Sequence, residues 1–295
     1  MTDIIKLLRP QQWIKNLFVF LPLFFDRHLF DAGYLVPCIL AFIAFCMASS
    51  GLYCFNDIHD AEADQNHHEK SKRPIASGKV SKAVGYCAML VCFAISMAVI
   101  YLINRADGRN GMLFLVIGAY VVMNTAYTLF LKHIAIIDVF VIAVGFVLRV
   151  LAGGVATGII LTHWIVLMTF LLALFLAFAK RRDDVVVFEN SGVTMRKTAN
   201  RYNLRFLNTA TSIVGSITMV CYIMYTVSPE VVERFGSRYV YLTSIFVLAG
   251  IIRYLQIMIV DVKSGDPTQV MLKDRFIQGC VVCWLLSFAL IIYCL

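Results

Sequence analysis

Runs of about twenty mainly apolar residues recur along this chain, and that is the length an α-helix needs to cross the hydrocarbon core of a bilayer. Nine runs are bounded by charge or turn residues: Trp13–Phe30, Tyr34–Phe55, Ala83–Ile103, Gly111–Leu131, Ile134–Thr157, Thr162–Ala179, Phe206–Val227, Tyr239–Val260 and Ile277–Leu295. With 60% of the 295 residues hydrophobic and 15% charged, too few charged groups remain to clothe a soluble domain of this length. The expectation is an all-α, polytopic membrane protein with nine transmembrane helices in a single domain over residues 1–295. The first run is the least regular. Its apolar stretch from Leu17 to Phe25 holds Pro22 and stops at Asp26-Arg27, which predicts a short or tilted span. No small-residue cleavage site follows it, so it is expected to be retained rather than removed as a signal peptide.

Basic residues set the expected orientation, because cytoplasmic loops carry an excess of Lys and Arg. With the N-terminus cytoplasmic, 19 of the 26 Lys and Arg fall on the inner side, five (Arg27, Arg105, Arg109, Arg234, Arg238) on the outer side, and Arg149 and Arg253 inside spans. The three long loops, near 56–82, 180–205 and 261–276, then all face the cytoplasm, which places the chemistry on that face of a bacterial inner membrane. The net charge of +8 comes without a nucleic-acid-binding motif, so anionic membrane lipids and phosphorylated substrates are the expected partners and nucleic acid is not. The nine cysteines are scattered through apolar runs and read as small hydrophobes, the Cys280-Val-Val-Cys283 pair included. Gly154 and Gly158 form a GxxxG pair, for which close helix packing is the simplest reading.

The second run leads into Asn56-Asp57-Ile58-His59-Asp60-Ala61-Glu62-Ala63-Asp64. If the helix continues, Asn56, Asp60 and Asp64 recur every four residues along one face, with Asp57 on the neighbouring ridge. Stacked carboxylates at a helix C-terminus repel one another and oppose the helix dipole, so a cation must compensate. On its own the cluster is more simply a solvated acidic helix end. Its neighbours change that: Lys70, Lys72 and Arg73 follow, then Pro74 and Gly78, so oxygen donors and cations alternate on one loop. Metal-bridged phosphates require both, and hard Mg²⁺ takes one or two carboxylates with phosphate oxygens completing its shell. His59, His67 and His68 raise a transition-metal alternative, which the predominance of carboxylates disfavours.

Asn56-Asp57-x-x-Asp60-x-x-x-Asp64 followed by Lys72-Arg73-Pro74 and Gly78 resembles the first aspartate motif, NDxxDxxxD, of the UbiA prenyltransferase superfamily, and the resemblance covers essentially the whole chain. It implies nine transmembrane helices and a substrate diphosphate bound through Mg²⁺ at the cytoplasmic mouth of a lipid-lined cavity, with Asn56, Asp57, Asp60 and Asp64 as metal ligands. The second aspartate motif of the aromatic prenyltransferases, DxxxD, does not follow the sixth run. Lys180-Arg181-Arg182-Asp183-Asp184-Val185-Val186-Val187-Phe188-Glu189 stands there instead. These three cations are either a topological anchor or a binding feature. With Arg9-Pro10-Gln11-Gln12-Trp13-Ile14-Lys15-Asn16, Tyr127 to Lys132, Asp138, Arg149, Asp266-Pro267 and Leu272-Lys273-Asp274-Arg275, they resemble the decaprenyl-phosphate phosphoribosyltransferase branch.

That branch transfers phosphoribose from phosphoribosyl diphosphate (PRPP) to a polyprenyl phosphate. The resemblance implies substrate contacts from Lys15, Asn16, Lys70, Lys72, Arg73, Tyr127, Lys132, Arg149, Lys180, Arg181, Arg182, Lys273 and Arg275. Extra cations fit a site that must neutralise a 5-phosphate and an acceptor phosphate as well as a diphosphate. Arg149 inside a span is expected to face the cavity, its plainer alternative being a cation reaching for a backbone carbonyl or for Asp138. Two other activities stay open: an aromatic or quinone prenyltransferase, against which the missing DxxxD argues, and a lipid or solute transporter, against which the clean spans argue. Oligomeric assembly is left open.

Overall fold

The structure is a computed structural model that describes residues 2–65, 70–107, 111–191, 202–261 and 267–293. His67, His68, Arg109 and Asp266 lie outside the described residues, as do Arg196, Lys197, Arg201 and Lys263, four of the 19 cations expected on the inner side. Every described regular element is a helix. The chain divides into two compact units, Met1–Lys132 with Val144–Leu161, and His133–Ala143 with Thr162–Leu295.

The first unit contains α1 (Thr2–Leu8), a 3-10 segment (Pro10–Phe20), α2 (Leu21–Phe25), α3 (Ala32–His59), α4 (Ala61–Gln65), a 3-10 turn (Lys70–Lys72), α5 (Lys82–Asp107) and α6 (Met112–Leu129). It also takes most of α7 (Ile137–Thr157). Asp31 starts α3 as an N-cap, its Oδ1 accepting from Gly33 N–H at 2.9 Å. The long α3 packs chiefly on α5 and also on the 3-10 segment and α6. Val19, Cys38, Ala41, Phe45, Ala48, Leu113, Tyr120 and Ala152 form the buried core between them. The second unit contains the start of α7, α8 (His163–Ser191), α9 (Leu204–Val227), α10 (Pro229–Phe235), α11 (Ser244–Ile259), α12 (Pro267–Lys273) and α13 (Arg275–Tyr293), with α8 against α9 and α11 against α13 as its main pairings.

Among the described residues seven helical stretches are long and apolar enough to cross a membrane, and an eighth, Arg275–Ile291, is apolar but shorter. The outward faces carry Leu90, Val91, Leu115, Val122, Ile252 and Leu286, as expected where lipid is the solvent. The run Trp13–Phe30 is not a regular span. It folds as the 3-10 segment and the five-residue α2, with Pro22 in the first turn of α2, where its missing amide costs no helical bond. The sixth run is longer than its apolar stretch: α8 continues through Lys180, Arg181 and Arg182 to Ser191, so these cations are helical rather than part of a loop. Arg181 pairing with Asp184 one turn on, at 3.0 Å, helps carry the helix past its apolar portion.

Glycine use in α7 also differs from the GxxxG reading. Gly158 lies beyond the helix end with φ +74°, the left-handed position that closes helices, and is exposed. The closest approach belongs to Gly153, where a Cβ would collide with the carbonyl oxygen of Val19 in the 3-10 segment, while at Gly154 it would meet the Leu161 side chain at 2.8 Å.

Candidate functional site

The acidic segment does not run on as one helix. α3 ends at His59, Asp60 takes φ −90° and ψ 2°, and α4 begins at Ala61. The amides of Asp60 and Asp64 still bond the carbonyls of Asn56 and Asp60 at 2.9 and 2.8 Å, so the chain bends without unwinding. The bend changes which carboxylates meet. Asp57 and Asp64 share one guanidinium: Arg73 Nη1 donates to Asp57 Oδ1 at 3.2 Å and to Asp64 Oδ2 at 2.6 Å. Asp60 turns elsewhere and accepts from Lys132 Nζ at 2.6 Å, instead of stacking with Asp64. The Arg9 guanidinium donates a second bond to Asp57 Oδ1, at 2.5 Å.

Repulsion among these carboxylates is therefore relieved by cations from three other segments of the first unit. Asp57 and Asp64 are buried, Asn56 and Asp60 half-buried. Two guanidinium groups converge on Asp57 Oδ1 while Oδ2, equally buried, has no hydrogen-bond partner. Among the described residues no three His, Cys, Asp or Glu side chains gather closely enough to form a ready-made metal cage. Mg²⁺ does not require one: hard oxygen donors, one or two carboxylates and open positions for phosphate oxygens suffice. The orphaned buried oxygen of Asp57, whose other oxygen shares the Arg73 guanidinium with Asp64, is a hard donor of the kind that requirement names. His59 is exposed and stacks on Phe55, apart from this arrangement.

Of the other expected residues in the first unit, Lys15, Lys70 and Tyr127 are half-buried and Lys72 is exposed. Asn16 and Arg149 form a separate buried cluster. Arg149 donates from Nε to Asn16 Oδ1 at 2.8 Å, from Nη1 to the Gly145 carbonyl at 2.7 Å and from Nη2 to Tyr120 Oη at 3.0 Å. The rings of Phe45, Tyr120 and Phe146 surround its guanidinium at 5.0–5.1 Å. Asn16 in turn donates to Cys46 Sγ and Ser49 Oγ. The carbonyl alternative for Arg149 is thus realised, at Gly145.

In the second unit Arg181 is taken up by carboxylates rather than left open to a phosphate. Its Nε donates to Asp138 Oδ2 at 2.6 Å and its Nη1 to Asp184 Oδ2. Tyr202 Oη donates to Asp138 Oδ1 at 2.8 Å and accepts from the Ile136 amide at 2.6 Å, and Ile136 itself holds the strained φ of +73°. Burial, first of all, pushes the Tyr202 hydroxyl well above the usual tyrosine range. Arg182 is also buried, but its Nε bonds only the neutral Asn208 side chain at 2.7 Å and its Nη1 has no hydrogen-bond partner. Lys180 is half-buried, and Lys273 and Arg275 are exposed. Between the last two, Asp274 caps α13 by accepting from Ile277 N–H at 2.9 Å and pairs with Arg253.

The sequence alone gives no role to Arg9, Tyr120, Tyr202, Asn208 or Asp274. Arg9 and Asp274 stand in segments that carry the family resemblance, the one signal that marks them. Tyr120 and Tyr202 resemble any interfacial tyrosine until the chain is folded.

The described residues thus form an all-helical protein with seven helices long and apolar enough to cross a membrane and a largely buried cluster of carboxylates clamped by Arg and Lys. Residues 23–293 match the model of the UbiA prenyltransferase family, and the chain belongs to that family of transferases. It is 31% identical to the decaprenyl-phosphate phosphoribosyltransferase of Mycolicibacterium smegmatis, over 99% of this chain and 93% of that protein. It is 30% identical to the protein of the same name from Corynebacterium glutamicum, over 98% of this chain and 86% of that one. A solved UbiA homolog from Archaeoglobus fulgidus bound to DMAPP and Mg²⁺ shares the fold, with a TM-score of 0.73 and 17% identity over 99% of this chain and 100% of that one.

Proposed function

We propose that this protein transfers 5-phosphoribose from PRPP to a polyprenyl phosphate, with Mg²⁺ as cofactor, at the cytoplasmic face of a bacterial inner membrane. In this reading the N-terminus is cytoplasmic and the chain spans the membrane nine times, the 3-10 segment with α2 and the final helix completing the count. The observation that carries the proposal is the near-full-length similarity to proteins named decaprenyl-phosphate phosphoribosyltransferase. The cations where a second aspartate motif would stand support it.

Asp57, Asp60 and Asp64 with Asn56 would hold the metal, which when bound supplies positive charge to the departing diphosphate. Arg73, Lys70 and Lys72 contact the same diphosphate, and Arg73, already shared between Asp57 and Asp64, is the residue best placed to turn from carboxylate to phosphate. An oxygen of the lipid phosphate attacks the anomeric carbon of the ribose from the opposite face. The carbon–oxygen bond to diphosphate breaks, and the electron pair leaves with diphosphate. A phosphate monoester is anionic at neutral pH, so no strong general base is needed, and positioning with charge neutralisation provides the catalysis. Arg149 and Asn16 are assigned to the acceptor phosphate. Arg182 is assigned to a substrate phosphate, and Arg181, bound to Asp138 and Asp184, is withdrawn from that role.

Radiolabelled PRPP, polyprenyl phosphate and Mg²⁺ incubated with the purified protein, then partitioned into organic solvent, test the proposal. Label moving into the lipid phase is the expected result. Label confined to water, while a prenyl diphosphate donor and an aromatic acceptor give product, would replace this reading with that of an aromatic prenyltransferase. Asp57→Asn and Asp64→Asn are expected to lower turnover by two orders of magnitude or more, on the order of 3 kcal/mol.

A further inference from the structure

Arg9 stands in the left-handed region, φ 52° and ψ 57°, which a residue with a Cβ adopts only when its surroundings over-determine it. One stripe of α3 does so. Ser50, Tyr53 and Asp57 recur at i, i+3 and i+7 and therefore share a helix face. Ser50 Oγ donates to the Leu8 carbonyl at 2.9 Å and accepts from Trp13 Nε1 at 3.0 Å, which ties down the chain on both sides of Arg9. The Tyr53 ring lies under the guanidinium, 5.1 Å from its centroid. Gln12 N–H closes the turn on the Arg9 carbonyl at 2.9 Å. The side chain so constrained reaches one acceptor, Asp57 Oδ1, and the other oxygen of that carboxylate is buried without a hydrogen-bond partner.

We infer that Arg9 is a positioning residue of the metal site: by holding Asp57 through Oδ1 it fixes the carboxylate and reserves Oδ2 for the cation. The inference rests on the proposed function, because it takes Asp57 as a metal ligand. Arg73 does not duplicate the role. Its Nη1 is shared between Asp57 and Asp64, and it lies on the Lys-Arg-Pro segment assigned to diphosphate. Arg9 touches Asp57 alone among these carboxylates and comes from a strained turn, which gives the carboxylate one orientation. Groups that orient a ligand from behind are worth about 10–100-fold in metal affinity.

The test uses inorganic diphosphate as the probe, titrated calorimetrically into the purified full-length protein at a series of Mg²⁺ concentrations, with no transfer reaction required. Arg9→Gln is expected to need about 10–100-fold more Mg²⁺ for half-maximal diphosphate binding and to recover at saturating Mg²⁺. Arg9→Lys, which keeps the charge but not the planar fork, is expected to fall between it and the natural protein. A folded Arg9→Gln protein with an unchanged Mg²⁺ requirement, while Asp57→Asn loses Mg²⁺-dependent binding, overturns the inference and leaves the proposed function standing. If Asp57→Asn binds diphosphate with the natural Mg²⁺ requirement, or the natural protein shows no Mg²⁺-dependent binding, the metal reading falls and this inference with it. Loss of the fold in both Arg9 variants assigns Arg9 a structural role and also overturns it.

Discussion

Arg181 Nε donates to Asp138 Oδ2 at 2.6 Å, and the two side chains are 3% and 0% exposed. A buried pair of this kind is weakly stabilising as a pair but costly to break, since the surviving charge is left without a partner in a medium that solvates it poorly. Tyr202 on the second carboxylate oxygen and Asp184 on the guanidinium complete the network. Asp138→Ala is therefore expected to destabilise the protein by about 3–5 kcal/mol. Thermal unfolding in detergent checks this, and a melting temperature equal to that of the natural protein would count the pair as dispensable.

Arg149 presents the opposite case, a buried guanidinium that no carboxylate meets among the described residues. Neutral acceptors and three aromatic faces offset only part of its desolvation. Arg149→Met keeps the approximate volume and removes that cost while losing bonds to Asn16 and Tyr120, so stability is expected to change by no more than about 2 kcal/mol. Activity should respond differently: if the charge serves the acceptor phosphate, KM for polyprenyl phosphate rises at least tenfold, about 1.4 kcal/mol. Steady-state kinetics beside a melting curve separate the two roles, and a collapse of the melting temperature with unchanged KM would make Arg149 a structural residue.

What could be read from the sequence follows from what each signal depends on. Membrane helices are set by local composition, so most of the apolar runs reappear as helices in the structure. The run holding Pro22 departs from a regular span: its residues up to Phe20 take the tighter 3-10 helix, and Pro22 stands in the first turn of a new one, a change of geometry that composition does not encode. The Asp57 and Asp64 segment was visible because its residues are near neighbours in sequence. Its partners were less visible: Lys132 reaches Asp60 across 72 positions and Arg9 reaches Asp57 across 48. Arg181 shows the limit most clearly. Three consecutive cations suggest one binding patch, but successive helical residues point in different directions, and only the fold reveals that Arg181 meets carboxylates while Arg182 meets Asn208.

Gly153 is expected to be intolerant of the smallest substitution. A Cβ there would lie 1.9 Å from the Val19 carbonyl oxygen and 3.3 Å from Pro22 Cγ, and the first obstacle is backbone, which cannot swing aside as a side-chain tip can. Gly153→Ala must push the 3-10 segment away from α7, the segment that also carries Asn16 and Lys15. A loss of about 3 kcal/mol or more is expected, at the upper end for overpacking, together with reduced activity. Gly118→Ala, with nothing within 4 Å of its Cβ, is the matched control on α6, and equal melting temperatures for the two variants would refute the close approach.

Asp274 gives the protein a pH-dependent increment of stability with a definite sign. The hydrogen bond from Arg253 is the main reason its carboxyl titrates below the usual aspartate range. A carboxyl depressed in the folded state contributes stability that is fully present above the unfolded value, about 4, and is lost as pH falls through the folded value. Asp274→Asn keeps a side chain able to cap α13 but removes the charge that Arg253 meets. The natural protein is accordingly expected to melt above Asp274→Asn by a constant margin from neutral pH down to about 5, with the margin shrinking below about pH 4. Melting curves of both proteins across that range decide the matter. A margin that does not change with pH would assign the stabilisation to the cap at Ile277 rather than to the ion pair with Arg253.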